Sequence, residues 1–270
     1  MSDLRSEISA ACSDLEAVTT ALSKIRHKGT LSQESYQFFE LLPTFSAQTA
    51  DIRGLLDARD SALSALASFP DQINPDDRST FLLSGVAIPF RHGRLLLVQS
   101  YMASTWVVYD TLTKIGGTLF CTDERAKNTA KPVKLQEDFI GGRNTVGARV
   151  QDHLKGAYGW PIGVSYAIRN WVLHDGHAHE GIELFRYNSH DVAPFEISGA
   201  AWDKIVERCT QKYKVEETHT RLQPFPDVRA NIVDGLRSCH QEIDEAVSFA
   251  LRTATGGIRL QAQLLFERDL

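Results

Sequence analysis

Cysteine is scarce in this 270-residue sequence, and the four present, Cys12, Cys121, Cys209 and Cys239, stand far apart with no CxxC pair. That spacing argues against a Cys-rich zinc site and suits reduced thiols in the cytoplasm. Long apolar runs are missing too. The longest uncharged one, residues 95–109, is too short to cross a bilayer and contains Gln99, Ser100 and Ser104. The opening MSDLRSEISA has no apolar core, which excludes a secretory signal there, so no membrane partner is expected. Basic charge is not in excess: the net charge is −5 and the pI about 6.0, unlike a strongly basic nucleic-acid binder. Arginine nevertheless outnumbers lysine, and its planar fork suits local phosphate contacts. There is no internal repeat and no low-complexity tract.

What is present is ordinary core material with helical periodicity. Hydrophobic residues make up 43% and charged residues 23%, enough to fold without a disulfide or metal. Leu4, Ile8, Ala11, Leu15, Val18, Leu22 and Ile25 recur at three- and four-residue steps before Gly29. A second helix is expected from Ser32 to Pro43. A third runs from about Ala47 to Phe69, with Ile52, Leu55, Leu56, Ala62, Leu63 and Leu66 on one stripe.

The polar FPDQINPDDRST (69–80) is the best domain boundary. Two apolar helical stretches should follow, broken near Pro89 and His92-Gly93, the second ended by Gly116-Gly117. Residues 123–142 read as a loop, 145–155 as a short helix, and 161–174 as a helix with Pro161 at its first position and Gly176 beyond its end. IELFRYNSHDVAPFEIS has the composition of a small β-hairpin, and helical periodicity returns at 200–213 and 226–253. The expected fold class is an all-α antiparallel helical bundle with extra N-terminal helices and at most a small β-hairpin. The expected domains are an N-terminal helical arm (1–70), a bundle (76–255) and a helical tail (256–270).

One stretch stands out: RNWVLHDGHAHE, residues 169–180. At about 100° per residue the helix carrying it places Val164, Ile168, Trp171 and Val172 on one side. Tyr166, Arg169, Asn170 and His174 fall on the other, with Leu173 among them. Asn170 and His174 are four apart and within hydrogen-bonding reach. His174 lies in the last turn, where the helix dipole favours its charged form. A histidine is the natural proton-transfer group near neutrality. Arg169 can hold a phosphate through charge-assisted hydrogen bonds. A gripped phosphate beside a titrating histidine is what metal-independent RNA scission needs. The ribose 2′-OH must lose a proton, the leaving 5′-oxygen must gain one, and the extra charge needs a cation. One histidine does not easily do both in a single step, so two copies facing each other, most simply about a two-fold axis, suit the chemistry.

Arg169-Asn170-x-x-x-His174 resembles the signature of the HEPN superfamily (higher eukaryotes and prokaryotes nucleotide-binding): an Arg, then four to six residues, then a His, often with Asn directly after the Arg. The likeness is local to residues 162–176, with looser support from the helix bearing Trp106, Tyr109 and Asp110. An Arg-x4-His pair alone is expected roughly 0.6 times in such a chain, whereas requiring Asn after the Arg lowers this to about 0.01. The resemblance implies an all-α bundle that dimerises, an RNA substrate cut at a composite site without cofactor or metal, and a toxin or antiviral-defence role restrained by an antitoxin or other partner. His174 would be the acid/base, Arg169 the phosphate clamp and Asn170 the positioning group. The alternative it leaves open is a non-catalytic module binding RNA, nucleotide or a protein.

Neighbouring residues offer weaker signals. Tyr166, Arg143, His177 and Asp110 are candidate substrate contacts, and Asp110 is also a candidate partner for Arg169. His177, His179 and Glu180 invite a metal reading, but the spacing lacks H-E-x-x-H, and a solvated loop is the simpler expectation. GGRN (141–144) lacks the Lys-Ser/Thr of a P-loop, and KNTAKPVK (127–134) reads as a solvated loop.

Overall fold

A computed structural model describes residues 2–24, 33–68, 80–83, 85–120 and 232–269. Between the last two it describes 139, 143, 145, 148, 152, 169, 170, 178, 179, 182, 183, 185, 186, 196, 197, 200–204 and 207. The fold is an all-α helical bundle. Its long helices are α1 (Ser2–Ser23), α2 (Gln33–Ser68), α3 (Phe90–Phe120) and α4 (Ile232–Asp269). Among the described residues three small antiparallel ladders accompany them: β1 (Thr80–Leu83) with β2 (Val86–Pro89), β3 (Ala178–His179) with β4 (Ile182–Glu183), and β5 (Phe185–Arg186) with β6 (Glu196–Ile197). The last falls within the stretch whose composition suggests a hairpin. Two compact units are formed. Unit 1 comprises Met1–Leu55, Val107–Leu154 and Asp244–Leu270; unit 2 comprises Leu56–Trp106 and Lys155–Ile243.

The helices are built on buried seams. In α1, Ile8, Cys12, Leu15 and Thr19 are buried at alternating four- and three-residue steps. Thr19 is accommodated because its hydroxyl donates to the Leu15 and Glu16 carbonyls. In α2 the same steps connect Phe38, Leu42, Phe45, Thr49, Ile52, Leu56 and Arg59. This seam explains why α2 runs unbroken through Pro43, where the sequence suggested two helices. Proline removes one backbone donor and costs about 3 kcal/mol inside a helix. Pro43 is exposed, while Leu42 and Phe45 beside it are buried and keep the helical path.

Residues 80–89 form a hairpin rather than the expected helix. Leu83 pairs with Val86 at the turn end of the ladder, and Gly85 takes φ 82°, which a side chain would resist. Pro89 ends the second strand, and α3 starts at the next residue, so His92-Gly93 lies inside a helix.

Gly116-Gly117 and Gly256-Gly257 likewise sit within helices. In unit 1 the Phe139 ring occupies the space a side chain on Gly116 would need, and Phe120 and Leu119 do the same at Gly257. Phe120 and Phe139 stack with centroids 6.1 Å apart. The Thr145 backbone N–H then caps the Phe120 carbonyl at 2.9 Å, closing the end of α3. Also in unit 1, Arg53 donates to Ser13 at 2.7 Å, and Arg252 and Arg259 of α4 pair with Glu7 and Asp14 of α1. Both rungs advance by one heptad in the same sense, so α1 and this half of α4 run parallel.

We expect Gly116→Ala and Gly257→Ala each to lower stability by about 1–3 kcal/mol through overpacking. Among the described residues, nothing lies within 4 Å of where a methyl group on Gly54 or Gly256 would sit. Alanine there should raise stability by about 0.5–1 kcal/mol through helix propensity. Thermal unfolding of the four variants checks the contrast.

Candidate functional site

Arg169 and Asn170 are helical and half-buried, within unit 2. Successive residues on a helix point about 100° apart, so their side chains do not meet by default. Here the long arginine folds over, and its Nη1 donates to Asn170 Oδ1 at 2.7 Å. Two consequences follow. The amide oxygen is occupied, so the amide group is fixed with its N–H donors available to an acceptor such as a phosphate oxygen or a histidine nitrogen. The guanidinium is anchored by a neutral group, and no carboxylate pairs with it among the described residues. A guanidinium carries five N–H donors, more than this one contact uses.

The other sequence candidates divide. His174, Tyr166, His177 and Glu180 lie outside the described residues. His179 is described as a β3 residue opposite Ile182. Arg143 is exposed and non-helical, in unit 1. Asp110 is held on its own helix: Lys114 Nζ donates to its Oδ2 at 2.5 Å. Trp106 and Tyr109 are core residues. Burial alone pushes the Tyr109 hydroxyl far above the usual tyrosine range, so it stays neutral at physiological pH and is no source of a phenolate. Among the described residues no three His, Cys, Asp or Glu side chains converge as metal ligands, and no helix is long and apolar enough to cross a membrane.

Sequence reasoning missed a polar cluster inside unit 2. Arg59 occupies a seam position of α2 and is only 2% exposed. Its Nε and Nη2 donate to Asp60 Oδ1 at 3.0 and 2.8 Å. His240 of α4 brings Nε2 to 3.8 Å from the same oxygen. Tyr101 of α3 places its hydroxyl 2.8 Å from His240 Nδ1, with the Arg59 guanidinium 6.0 Å from its ring centroid. Carboxylate, imidazole and phenol thus form a row, and in the tautomer that carries its proton on Nε2, towards Asp60, Nδ1 accepts from the hydroxyl. Tyr101 is fully buried, so the row joins three helices rather than presenting a reagent to a substrate. The signal was available: Arg59 falls seven residues after Ile52 and three after Leu56, in the middle of the apolar stripe.

No family model, curated protein or solved structure matches the chain.

Asp60→Asn keeps the shape and removes the charge that both Arg59 nitrogens use. We expect it to cost about 3 kcal/mol, as for breaking a buried ion pair. Tyr101→Phe should cost about 1 kcal/mol for one buried hydrogen bond. Urea unfolding distinguishes the two, and equal small losses would contradict the ion-pair assignment.

Proposed function

We propose that the chain is a metal-independent endoribonuclease of the HEPN type, acting through Arg169, Asn170 and His174 in a homodimer. The observation that carries this reading is the Arg169–Asn170 pair: a half-buried guanidinium fixed by a neutral amide and not neutralised by a described carboxylate. Such a group would lose charge-assisted strength if it served only an internal ion pair. As an anion clamp it retains that strength. The sequence supplies the acid/base four residues after Asn170, the spacing that brings two side chains together on a helix.

The reaction follows from these groups. One His174 takes the proton of the ribose 2′-OH, and that oxygen attacks the adjacent phosphorus. The bond from phosphorus to the 5′-oxygen breaks, and a proton from a second acid, His174 of the other copy, reaches the leaving oxygen. The products are a 2′,3′-cyclic phosphate and a 5′-OH. Arg169 meets the charge that builds on the non-bridging oxygens, and Asn170 orients the phosphate or the imidazole. A nuclease of this kind harms its own cell, which fits a toxin or defence effector held in check by a protein partner in the cytoplasm.

The test compares wild type with His174→Ala on a mixed tRNA and mRNA pool in EDTA, with product ends mapped. We expect cyclic-phosphate ends from wild type and a loss of about 100-fold or more in the variant, the usual range for general acid–base catalysis. Arg169→Ala should lose a comparable factor. Cleavage unchanged by His174→Ala would remove the proposal. No cleavage by folded wild type would favour a binding module.

A further inference from the structure

Unit 1 carries a surface that the catalytic reading does not use. The ion pairs Glu7–Arg252 and Asp14–Arg259 hold α1 and α4 parallel and in one register. Carried forward, that register brings the two helices to their ends together, at Ser23 and Asp269. Over these last turns a groove of about 540 Å³ opens between them, walled by Val18, Ala21 and Leu22 of α1 and Ala262 of α4. Arg259 and Glu267 line it from α4, about two turns apart. On the other side of that charged row, Leu260 and Leu264 are 52% and 46% exposed. Apolar surface thus flanks the row on both sides, and a docked apolar face would remove it from water.

Shape and charge indicate the occupant. A groove between two helices admits one helix more. A second copy of the chain offers α4 only with its own α1 held against it, a pair too broad to enter. A single amphipathic helix from another protein fits, with its apolar stripe on the groove walls and the leucines. Its direction follows from the helix ends. Two parallel helices that finish side by side put two negative dipole ends together, and Glu267 adds a carboxylate there. The positive N-terminal end of an incoming helix belongs at that place, which makes it antiparallel to α1 and α4. Glu267 is exposed and accepts from Gln263 Nε2 at 3.0 Å, a contact that a cation can replace. Arg259 pairs with Asp14 and is still 57% exposed, and a guanidinium fork can hold a second carboxylate.

We infer that this groove takes one amphipathic helix of a partner protein. That helix runs antiparallel to α4. It sets a basic residue of its first turns against Glu267 and, eight residues on, an acidic residue against Arg259. The inference stands on unit 1 alone and holds whether or not the chain cuts RNA.

Fluorescence anisotropy of the full chain with a labelled synthetic peptide tests it. The probe is a helix of about five turns. It carries leucines at three- and four-residue steps, a lysine in its first turns and a glutamate eight residues later. In the control peptide the lysine and glutamate are exchanged. The probe should bind at micromolar concentration, and the control about tenfold or more weaker, because like charges then oppose. Glu267→Arg leaves the Asp14–Arg259 pair in place and should remove that preference. Ala21→Arg, at an exposed wall position, should abolish binding of both peptides without lowering the melting temperature. A probe that does not bind, equal affinity for probe and control, or binding unchanged by Ala21→Arg would overturn the inference. So would a wild-type dimer that Ala21→Arg dissociates in sedimentation, which would give the face to a second copy.

Discussion

A guanidinium buried to 2% exposure in the apolar seam of α2 must be neutralised where it lies, and much of unit 2 follows from that. Asp60, the next residue, supplies the carboxylate. His240 and Tyr101 then have to arrive from α4 and α3 at the same place. Apolar side chains pack almost as well one turn out of step, whereas this row is satisfied in only one arrangement. Against apolar substitutes a buried ion pair adds little net stability. Its effect is selection: three long helices that read as interchangeable apolar stripes are tied at one point. The same unit contains the Arg169–Asn170 pair, so the candidate chemistry sits on a part of the chain whose helices have a fixed register.

Unit 1 reaches its definition by other means. Two glycines admit two phenylalanine rings, and the rings stack on each other. Two ion pairs one heptad apart set α1 parallel to α4. Exposed ion pairs of this kind contribute little energy, about 0–1 kcal/mol each. They matter as markers of register, and they show where the register ends in an open apolar groove. Shape fixes one unit's packing, and buried charge fixes the other's.

The helical class was legible because its signal is the repeat of apolar residues, which survives errors in detail. Breaks between helices were not. Pro43 and Gly116 read as stops because their intrinsic cost is local and visible, while the packing that outweighs it can involve residues far away in sequence, such as Phe139 against Gly116. The 80–89 hairpin was taken for a helix because so short an apolar run does not separate strand from helix, and its decisive feature is one turn glycine. Arg59 was overlooked because a charged residue is assumed to face water, although its heptad position says otherwise. At the candidate site the sequence placed Arg169 and Asn170 on adjacent faces of a helix. Their direct hydrogen bond depends on an arginine rotamer that no pattern encodes. The Lys114 contact of Asp110, by contrast, is an ordinary four-residue helical pair that could have been read in advance.

Together these features describe a helical scaffold that holds a half-buried guanidinium on a neutral amide, with a histidine four residues on in sequence. The central claim is that this set drives attack by a ribose 2′-OH. The most direct measurement offers one oligonucleotide pool in two forms, as RNA and as fully 2′-O-methylated RNA, in EDTA. The account predicts cleavage of the RNA and none of the methylated pool, because the nucleophile has been blocked while the phosphates remain. Equal cleavage of both pools would contradict it, since the attacking group would then have to come from elsewhere.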